Sequence, residues 1–241
     1  MGWAIAGAVL VVAAVGVALW VRWLSRRRVY WFEKLTNAIP THSDWWKAQR
    51  EKSGELLYVA IGDSAAQGIG ASRPGRSYVG EVARHIRANS SKEVRVVNLG
   101  ISGATVGIAI AKELRALAKL DPDIVTVSIG ANDIPTFEPG RFATQLDELF
   151  AALPKHAIVA DLPTFYVLPA EKKVRIANTI LRDVAAKHSL TVAPLHAAMR
   201  RQGMWGVTTQ FAGDLFHPND RGYKVWASAF LPAVNERLRA L

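Results

Sequence analysis

The chain contains no cysteine among its 241 residues. Disulfide bonds, thiol catalysis and cysteine-ligated metal sites are therefore excluded. Histidine is also scarce, with six residues, and no pair of them has the His-x-x-x-His spacing that places two ligands on one helix face. We therefore expect no metal site.

Modules typical of nucleic-acid binding are also missing. Basic residues outnumber acidic ones, 30 to 20, and the formal net charge of +10 favours an anionic partner. However, no basic stretch carries interleaved aromatic residues, and most Lys and Arg residues are spread among Asp and Glu. We therefore expect no nucleic-acid partner, and the charge favours a membrane surface instead.

Side-chain charge is absent from residues 1–21, and residues 3–21 are almost entirely apolar. In helical form such a run extends about 28 Å, close to the roughly 30 Å hydrocarbon core of a bilayer. Arginines follow the run, at positions 22, 26, 27 and 28. A cleaved signal peptide has the opposite order, so the sequence predicts a retained transmembrane anchor over residues 1–23.

The arginines after this run also predict its orientation. Positively charged flanks of membrane helices stay in the cytoplasm. We therefore expect a single-pass protein of the cell membrane whose folded domain is cytoplasmic.

Residues 24–55 are rich in aromatic side chains and are interpreted as a juxtamembrane connector. Two explanations of these aromatics stay open: seating at the bilayer surface, or packing onto the domain as an N-terminal arm. The segment after Pro40 favours a helix that begins near Thr41. The remaining region, residues 56–241, is the predicted folded domain.

Within this domain, short apolar runs alternate with longer segments of helical period, the pattern of a parallel α/β sheet. The sequence predicts five strands and five helices between and after them. The strands are expected near 56–61, 94–99, 124–129, 157–161 and 190–194. The helices are expected near 77–88, 105–119, 141–152, 172–187 and 219–239.

Several predicted strands end in small or polar residues. The first ends in Gly62-Asp63-Ser64, the second in a turn containing Gly100, and the third in a turn containing Asn132. The pair Asp214-x-x-His217 precedes the last helix. Because the carboxyl ends of parallel strands meet at one edge of a sheet, we expect these residues to line one crevice.

These residue types suit acyl transfer. A serine hydroxyl needs a base that takes its proton, and a histidine base needs a carboxylate on its other nitrogen. Ser64, His217 and Asp214 are the predicted nucleophile, base and orienting acid. The predicted oxyanion donors are the backbone N–H groups of Ser64 and Gly100 and the side-chain amide of Asn132.

More ordinary roles explain parts of this pattern. Ser64 is also typical of a helix N-cap or a turn, and Asp63 and Asp133 are interpreted as braces of their own turns. The apolar segment 162–169 and the aromatic residues Trp205, Phe211 and Phe216 either line an acyl site or cover the core.

Taken in order along the chain, these motifs resemble the four blocks of the SGNH hydrolases, also called GDSL esterases and lipases. The resemblance covers about residues 56–240, and Ala65 departs from it by replacing the leucine of the name-giving motif. It implies a three-layer, flavodoxin-like α/β fold, a Ser-His-Asp triad, and no required metal or cofactor.

We therefore expect a membrane-anchored serine esterase or lipase that forms an acyl-enzyme with a small-molecule or lipid ester. One alternative is an acetyl-esterase that acts on a cell-envelope polysaccharide. Another is a membrane-tethered binding module without catalysis. The sequence leaves the natural substrate and the oligomeric state open.

Overall fold

Five parallel strands form the centre of the molecule. The computed structural model describes residues 2–166 and 168–241, with side chains described from residue 10 onward. The strand order is β2-β1-β3-β4-β5. The strands are β1 (Leu56–Gly62), β2 (Val94–Asn98), β3 (Ile124–Ser128), β4 (Ile158–Ala160) and β5 (Thr191–Ala193). The predicted five-stranded parallel sheet is confirmed.

Helices follow the strands and cover both faces of the sheet. They are α1 (Gly2–Arg50), α2 (Ser64–Gln67), α3 (Tyr78–Ala88), α4 (Val106–Ile108), α5 (Leu114–Leu117), α6 (Pro139–Ala151), α7 (Leu168–Lys187), α8 (Leu195–Arg200), α9 (Gly203–Thr209) and α10 (Asp220–Arg239). A π-helical stretch, Ala109–Glu113, joins α4 to α5. The sequence did not predict the short helices α8 and α9.

Successive residues of each strand point to opposite faces, so the domain has two apolar cores. Along β1, Tyr58 packs with Tyr78 and Phe230 on the face covered by α3 and α10. Its neighbour Val59 packs with Leu146 on the face covered by α6 and α7. Because helices cover both faces, most strand residues are apolar and the architecture has three layers.

The strand register brings the site-bearing turns together. Gly62 at the end of β1 pairs with Ser128 at the end of β3, and Ala60 pairs with Asn98 at the end of β2. The chain therefore leaves these three central strands at one edge of the sheet.

The predicted transmembrane anchor is wrong. Among the described residues, no helix combines the length and the apolar character needed to cross a bilayer. The uncharged run of α1 ends at Val21, and Arg22 follows it directly in the same helix. The arginines that follow belong to the same helix, and the side chains of residues 1–9 lie outside the description.

The connector is helical as far as Arg50. Helix α1 continues through Pro40 to Arg50, so the helix start expected after Pro40 is wrong. Of the aromatic residues, Trp46 is buried in the domain core while Tyr30 and Phe32 are exposed. The C-terminal part of α1 therefore packs on the domain as an arm. The segment boundaries at residues 23 and 55 stay predictions. The cytoplasmic location of the folded domain also stays a prediction.

Candidate active site

Ser64 lies on a tight turn at the end of β1. The Asp63 carboxylate caps α2 by accepting the Ala65 N–H at 2.9 Å. Gly68 ends the helix in the left-handed region at φ 84°, where a Cβ would lie 2.7 Å from Ser77 Cβ. The predicted capping function thus belongs to Asp63, and the Ser64 hydroxyl is left for other partners.

A second loop brings a histidine to this hydroxyl. Phe211 and Pro218 form an isolated β-bridge that closes the loop between them. Asp214 Oδ1 accepts the N–H groups of Phe216 and His217, each at 3.1 Å. These two hydrogen bonds fix the carboxylate on the inner side of the turn.

Asp214, His217 and Ser64 form one line of hydrogen bonds. His217 Nδ1 lies 2.6 Å from Asp214 Oδ2, and His217 Nε2 lies 3.0 Å from Ser64 Oγ. Burial raises the pKa of Asp214, but its bonds to His217 and to backbone N–H groups outweigh this and hold the pKa below its usual value. An ionised Asp214 assigns the proton of His217 to Nδ1 and leaves Nε2 to accept from Ser64.

Asn132 lies beside this line. Its Nδ2 donates to the Ala104 carbonyl at 3.0 Å and to Asp63 Oδ2 at 3.3 Å. Burial raises the pKa of Asp63 to about 6. The Ser64 N–H belongs to the first residue of α2 and has no acceptor inside that helix. Two of the predicted oxyanion donors are therefore near the Ser64 hydroxyl.

Gly100 is placed differently. Its N–H donates to Asn98 Oδ1 at 3.0 Å, and its carbonyl accepts from Gln67 Nε2 at 2.9 Å. The N–H is therefore already engaged, and its oxyanion role stays a prediction. Gly103 of the same loop is exposed at φ 79° and precedes Ala104, the residue that accepts from Asn132. It is the candidate donor that the sequence reasoning missed.

An apolar cavity of about 240 Å³ opens on Ser64 and His217. Part of its wall comes from the predicted apolar segment, and part from the loop before His217. The lining includes Pro163, Phe165, Tyr166, Met199, Val207, Phe211, Leu215 and Phe216. Trp205 is 66% exposed and does not line it. Segment 163–166 therefore lines a cavity large enough for an acyl chain. Val167 lies outside the described residues.

No group of three or more His, Asp or Glu side chains that suits a metal ion occurs in the described part of the chain. The absence of a metal and of a cofactor stays a prediction.

A scan against protein families finds that residues 60–225 match the model of the GDSL-like lipase/acylhydrolase family. This match covers more than half of the chain. The protein belongs to this family. A search of curated proteins found no match.

Solved structures of GDSL-type and related enzymes resemble this family member. LAE5, an alpha/beta hydrolase enzyme from the metagenome of Lake Arreo in Spain, is 27% identical with a TM-score of 0.64, and the match covers 77% of this chain and 98% of LAE5. A lipase/acylhydrolase from Enterococcus faecalis is 22% identical with a TM-score of 0.64, and the match covers 76% of this chain and 96% of that enzyme.

Axe2, an acetylxylan esterase from Geobacillus stearothermophilus, is 23% identical with a TM-score of 0.61, and the match covers 76% of this chain and 95% of Axe2. At this identity, Axe2 and the Enterococcus enzyme show a common fold alone. Family membership makes the GDSL-type protein a serine ester hydrolase. The alternative of a binding module without catalysis is therefore wrong.

Proposed function

We propose that the protein hydrolyses carboxylic esters through an acyl-enzyme on Ser64. The observation that supports this most directly is the hydrogen-bonded line from Asp214 through His217 to Ser64 Oγ, with distances of 2.6 and 3.0 Å. Histidine in this position accepts and returns a proton near neutral pH. A serine so paired is an activated nucleophile.

The proposed reaction has two halves. In the first, Ser64 Oγ attacks the ester carbonyl and its proton passes to His217 Nε2. The tetrahedral intermediate then expels the alcohol, which takes that proton, and an acyl-serine remains. In the second half, His217 removes a proton from water, the hydroxide attacks the acyl-serine, and the carboxylic acid leaves as Ser64 regains its proton.

The Ser64 N–H and the Asn132 amide are the proposed donors to the oxyanion. The longer of the two bonds made by Asn132 Nδ2, at 3.3 Å, joins it to Asp63. A developing oxyanion is a strong acceptor. It therefore competes with Asp63 for this hydrogen of Asn132. Asn132 is thus held beside the site before substrate arrives.

The cavity supports a short or medium acyl chain as the substrate portion held next to Ser64. Its walls are dominated by aromatic and aliphatic side chains, and its volume of about 240 Å³ is below the roughly 300–1,000 Å³ of drug-sized sites. An apolar chain gains free energy by leaving water for such walls. An acetyl group of a polysaccharide would leave most of these walls uncovered. The cavity therefore favours an ester with a longer acyl chain over a polysaccharide acetyl ester.

The test is a panel of p-nitrophenyl esters from acetyl to palmitoyl with the full chain and its Ser64→Ala variant. We expect the highest kcat/KM between butanoyl and octanoyl, and a fall in kcat on the order of 10⁴ or more for Ser64→Ala. The wild type also takes a fluorophosphonate label that Ser64→Ala does not.

Ser53→Ala serves as the matched control, because Ser53 is exposed and lies outside the cavity. Full esterase activity in Ser64→Ala contradicts the proposed nucleophile. A maximum at acetyl contradicts the proposed acyl class and leaves the nucleophile standing.

A further inference from the structure

The indole ring of Trp31, on α1, lies directly against Gly213. A Cβ added at Gly213 would overlap Trp31 Cε2 and Nε1. Gly213 is not among the glycines with positive φ, so its backbone conformation is open to other residues. The close approach of the ring is therefore the reason that this position needs glycine.

Gly213 immediately precedes Asp214 in the loop that carries the acid and the histidine. The inner side of this loop is held by the N–H groups that donate to Asp214 Oδ1. Trp31 covers the outer side. The loop is thus fixed between its own hydrogen bonds and a side chain more than 180 residues earlier in the chain.

The Trp31 ring is itself held by its neighbours on α1. Lys34 Nζ lies 4.5 Å above the ring centroid, and Tyr30 meets the ring edge-on with centroids 5.7 Å apart. One turn further along, Leu35 is buried against the domain. These contacts favour one orientation of the indole over Gly213.

The same helix also reaches the nucleophile turn. His42 Nδ1 and Trp46 Nε1 both donate to the Gln67 carbonyl, at 2.9 and 3.1 Å. Gln67 is the last residue of α2, the helix that begins at Ser64. Its side-chain amide bonds to the Gly100 carbonyl at 2.9 Å. Helix α1 therefore contacts both chain segments whose side chains meet at the Ser64–His217 hydrogen bond.

This helix lies outside the part of the chain shared with the family. The family model covers residues 60–225, and the solved structures described above are covered at 95–98% of their own length by about three quarters of this chain. Nearly the whole length of each of those enzymes is thus matched by the shared domain. Little of their chains is left over for an equivalent of α1. Its contacts with the domain are therefore not accounted for by the match to these three enzymes.

We propose that the segment 31–46 of α1 positions the esterase site, with Trp31 acting as a positioning residue for the loop of Asp214 and His217. This inference rests on the proposed function. Neither Trp31 nor His42 lines the acyl cavity. Loss of Trp31 should therefore lower kcat, which depends on the His217–Ser64 geometry, and leave KM nearly unchanged.

The experiment compares four variants of the full chain: Trp31→Ala, Gly213→Ala, the double variant, and Phe32→Ala. We expect Trp31→Ala to lower kcat by roughly 10- to 100-fold, the cost of a displaced catalytic group. Gly213→Ala should lower kcat further, because its methyl group drives the loop away from the indole. In the double variant the methyl group occupies space that the indole leaves, so kcat should rise above that of Gly213→Ala.

Phe32→Ala is the matched control, since Phe32 is 67% exposed on the same helix and should leave kcat unchanged. All assays are run well below the melting temperature of each variant. A loss of stability caused by Trp31→Ala would lower kcat, so it cannot produce the rise in kcat expected for the double variant. Wild-type kcat in Trp31→Ala, or no recovery in the double variant, overturns the inference.

Ser64→Ala is assayed in parallel so that the two proposals fail separately. Activity that survives Ser64→Ala contradicts the proposed function. Activity that requires Ser64 but does not respond to Trp31→Ala contradicts only the positioning by α1.

Discussion

At the scale of single residues, acids near Ser64 have pKa values shifted in opposite directions. Burial raises the pKa of Asp63 to about 6, because one hydrogen bond from Ala65 and the amide of Asn132 do not replace the lost water. Asp214 is also buried, yet its three N–H donors hold its pKa low. Of these two acids, the one whose pKa is lowered is therefore the partner of His217.

Glu113 is a third acid close to the nucleophile turn. It ends the π-helical stretch, and its Oε2 accepts the Gly62 N–H at 2.9 Å. Its Oε1 is buried and has no partner among the described residues. Burial raises the pKa of Glu113 to about 8, and the nearby Asp63 adds to the shift.

A stability prediction follows from this shift. Because the folded state raises the pKa of Glu113 from 4.5 to about 8, the stability contributed by its protonated form is complete below pH 4.5 and is lost as the pH rises through 8. Glu113→Gln keeps an acceptor for Gly62 and cannot ionise. We expect its melting temperature to exceed that of the wild type at pH 9 by on the order of 5 °C, with a smaller difference at pH 5.

Thermal unfolding of both proteins from pH 5 to pH 9 measures this difference. Asp63 titrates in both, so the comparison isolates Glu113. A difference in melting temperature that does not change with pH contradicts a buried, protonated Glu113.

At the scale of secondary-structure elements, α7 holds the wall of the acyl cavity. Glu171 Oε2 accepts the Thr164 hydroxyl at 3.1 Å and the Phe165 N–H at 3.0 Å. Glu171 Oε1 lies 2.8 Å from Nε2 of His196 on α8. One carboxylate thus ties segment 163–166 to two helices.

Removing this carboxylate should loosen the wall without touching the reacting groups. We expect Glu171→Ala to raise KM for an octanoyl ester roughly tenfold, because buried hydrogen bonds to a charged group contribute about 1.5–3 kcal/mol. The change in kcat should be smaller, since Glu171 is remote from Ser64 in the hydrogen-bond network.

Steady-state kinetics with acetyl and octanoyl esters check this prediction. Glu148→Ala, an exposed glutamate of α6, is the control and should keep the wild-type KM. An equal loss of kcat for both esters with unchanged KM would show that Glu171 acts on the reacting groups instead.

At the scale of the whole molecule, α1 has two parts with different surroundings. From residue 10 to residue 30 it has no buried residue, whereas Leu35, His42 and Trp46 are buried against the domain. Among the residues with described side chains, the buried contacts of α1 with the domain therefore belong to the second part of the helix.

Two truncations separate these parts. A chain that lacks residues 1–28 should keep kcat within about twofold and lose little stability, because none of residues 10–28 is buried. A chain that lacks residues 1–50 loses the contacts of Trp31, His42 and Trp46 and should have lower kcat and a lower melting temperature. Equal activity of the two truncated chains would contradict this division of α1.

Much of the fold follows from local patterns. The five apolar strands and the helices between them were predicted within a few residues, because strands buried on both faces need continuous apolar runs and helices need a 3.6-residue period. The same logic was wrong for α1. An uncharged run predicted a bilayer span, but the helix continues past Val21 into a stretch that contains four arginines, and then through Pro40.

Residue type and order along the chain predict which groups suit acyl transfer: Ser64 just after a strand, and Asp214 and His217 before the last helix. The packed fold brings His217 to 3.0 Å from Ser64 and places Trp31 against Gly213, and neither contact follows from the local sequence. Local patterns record the burial and backbone preference of one segment. Contacts between residues more than 150 positions apart depend on how the whole sheet and its helices pack.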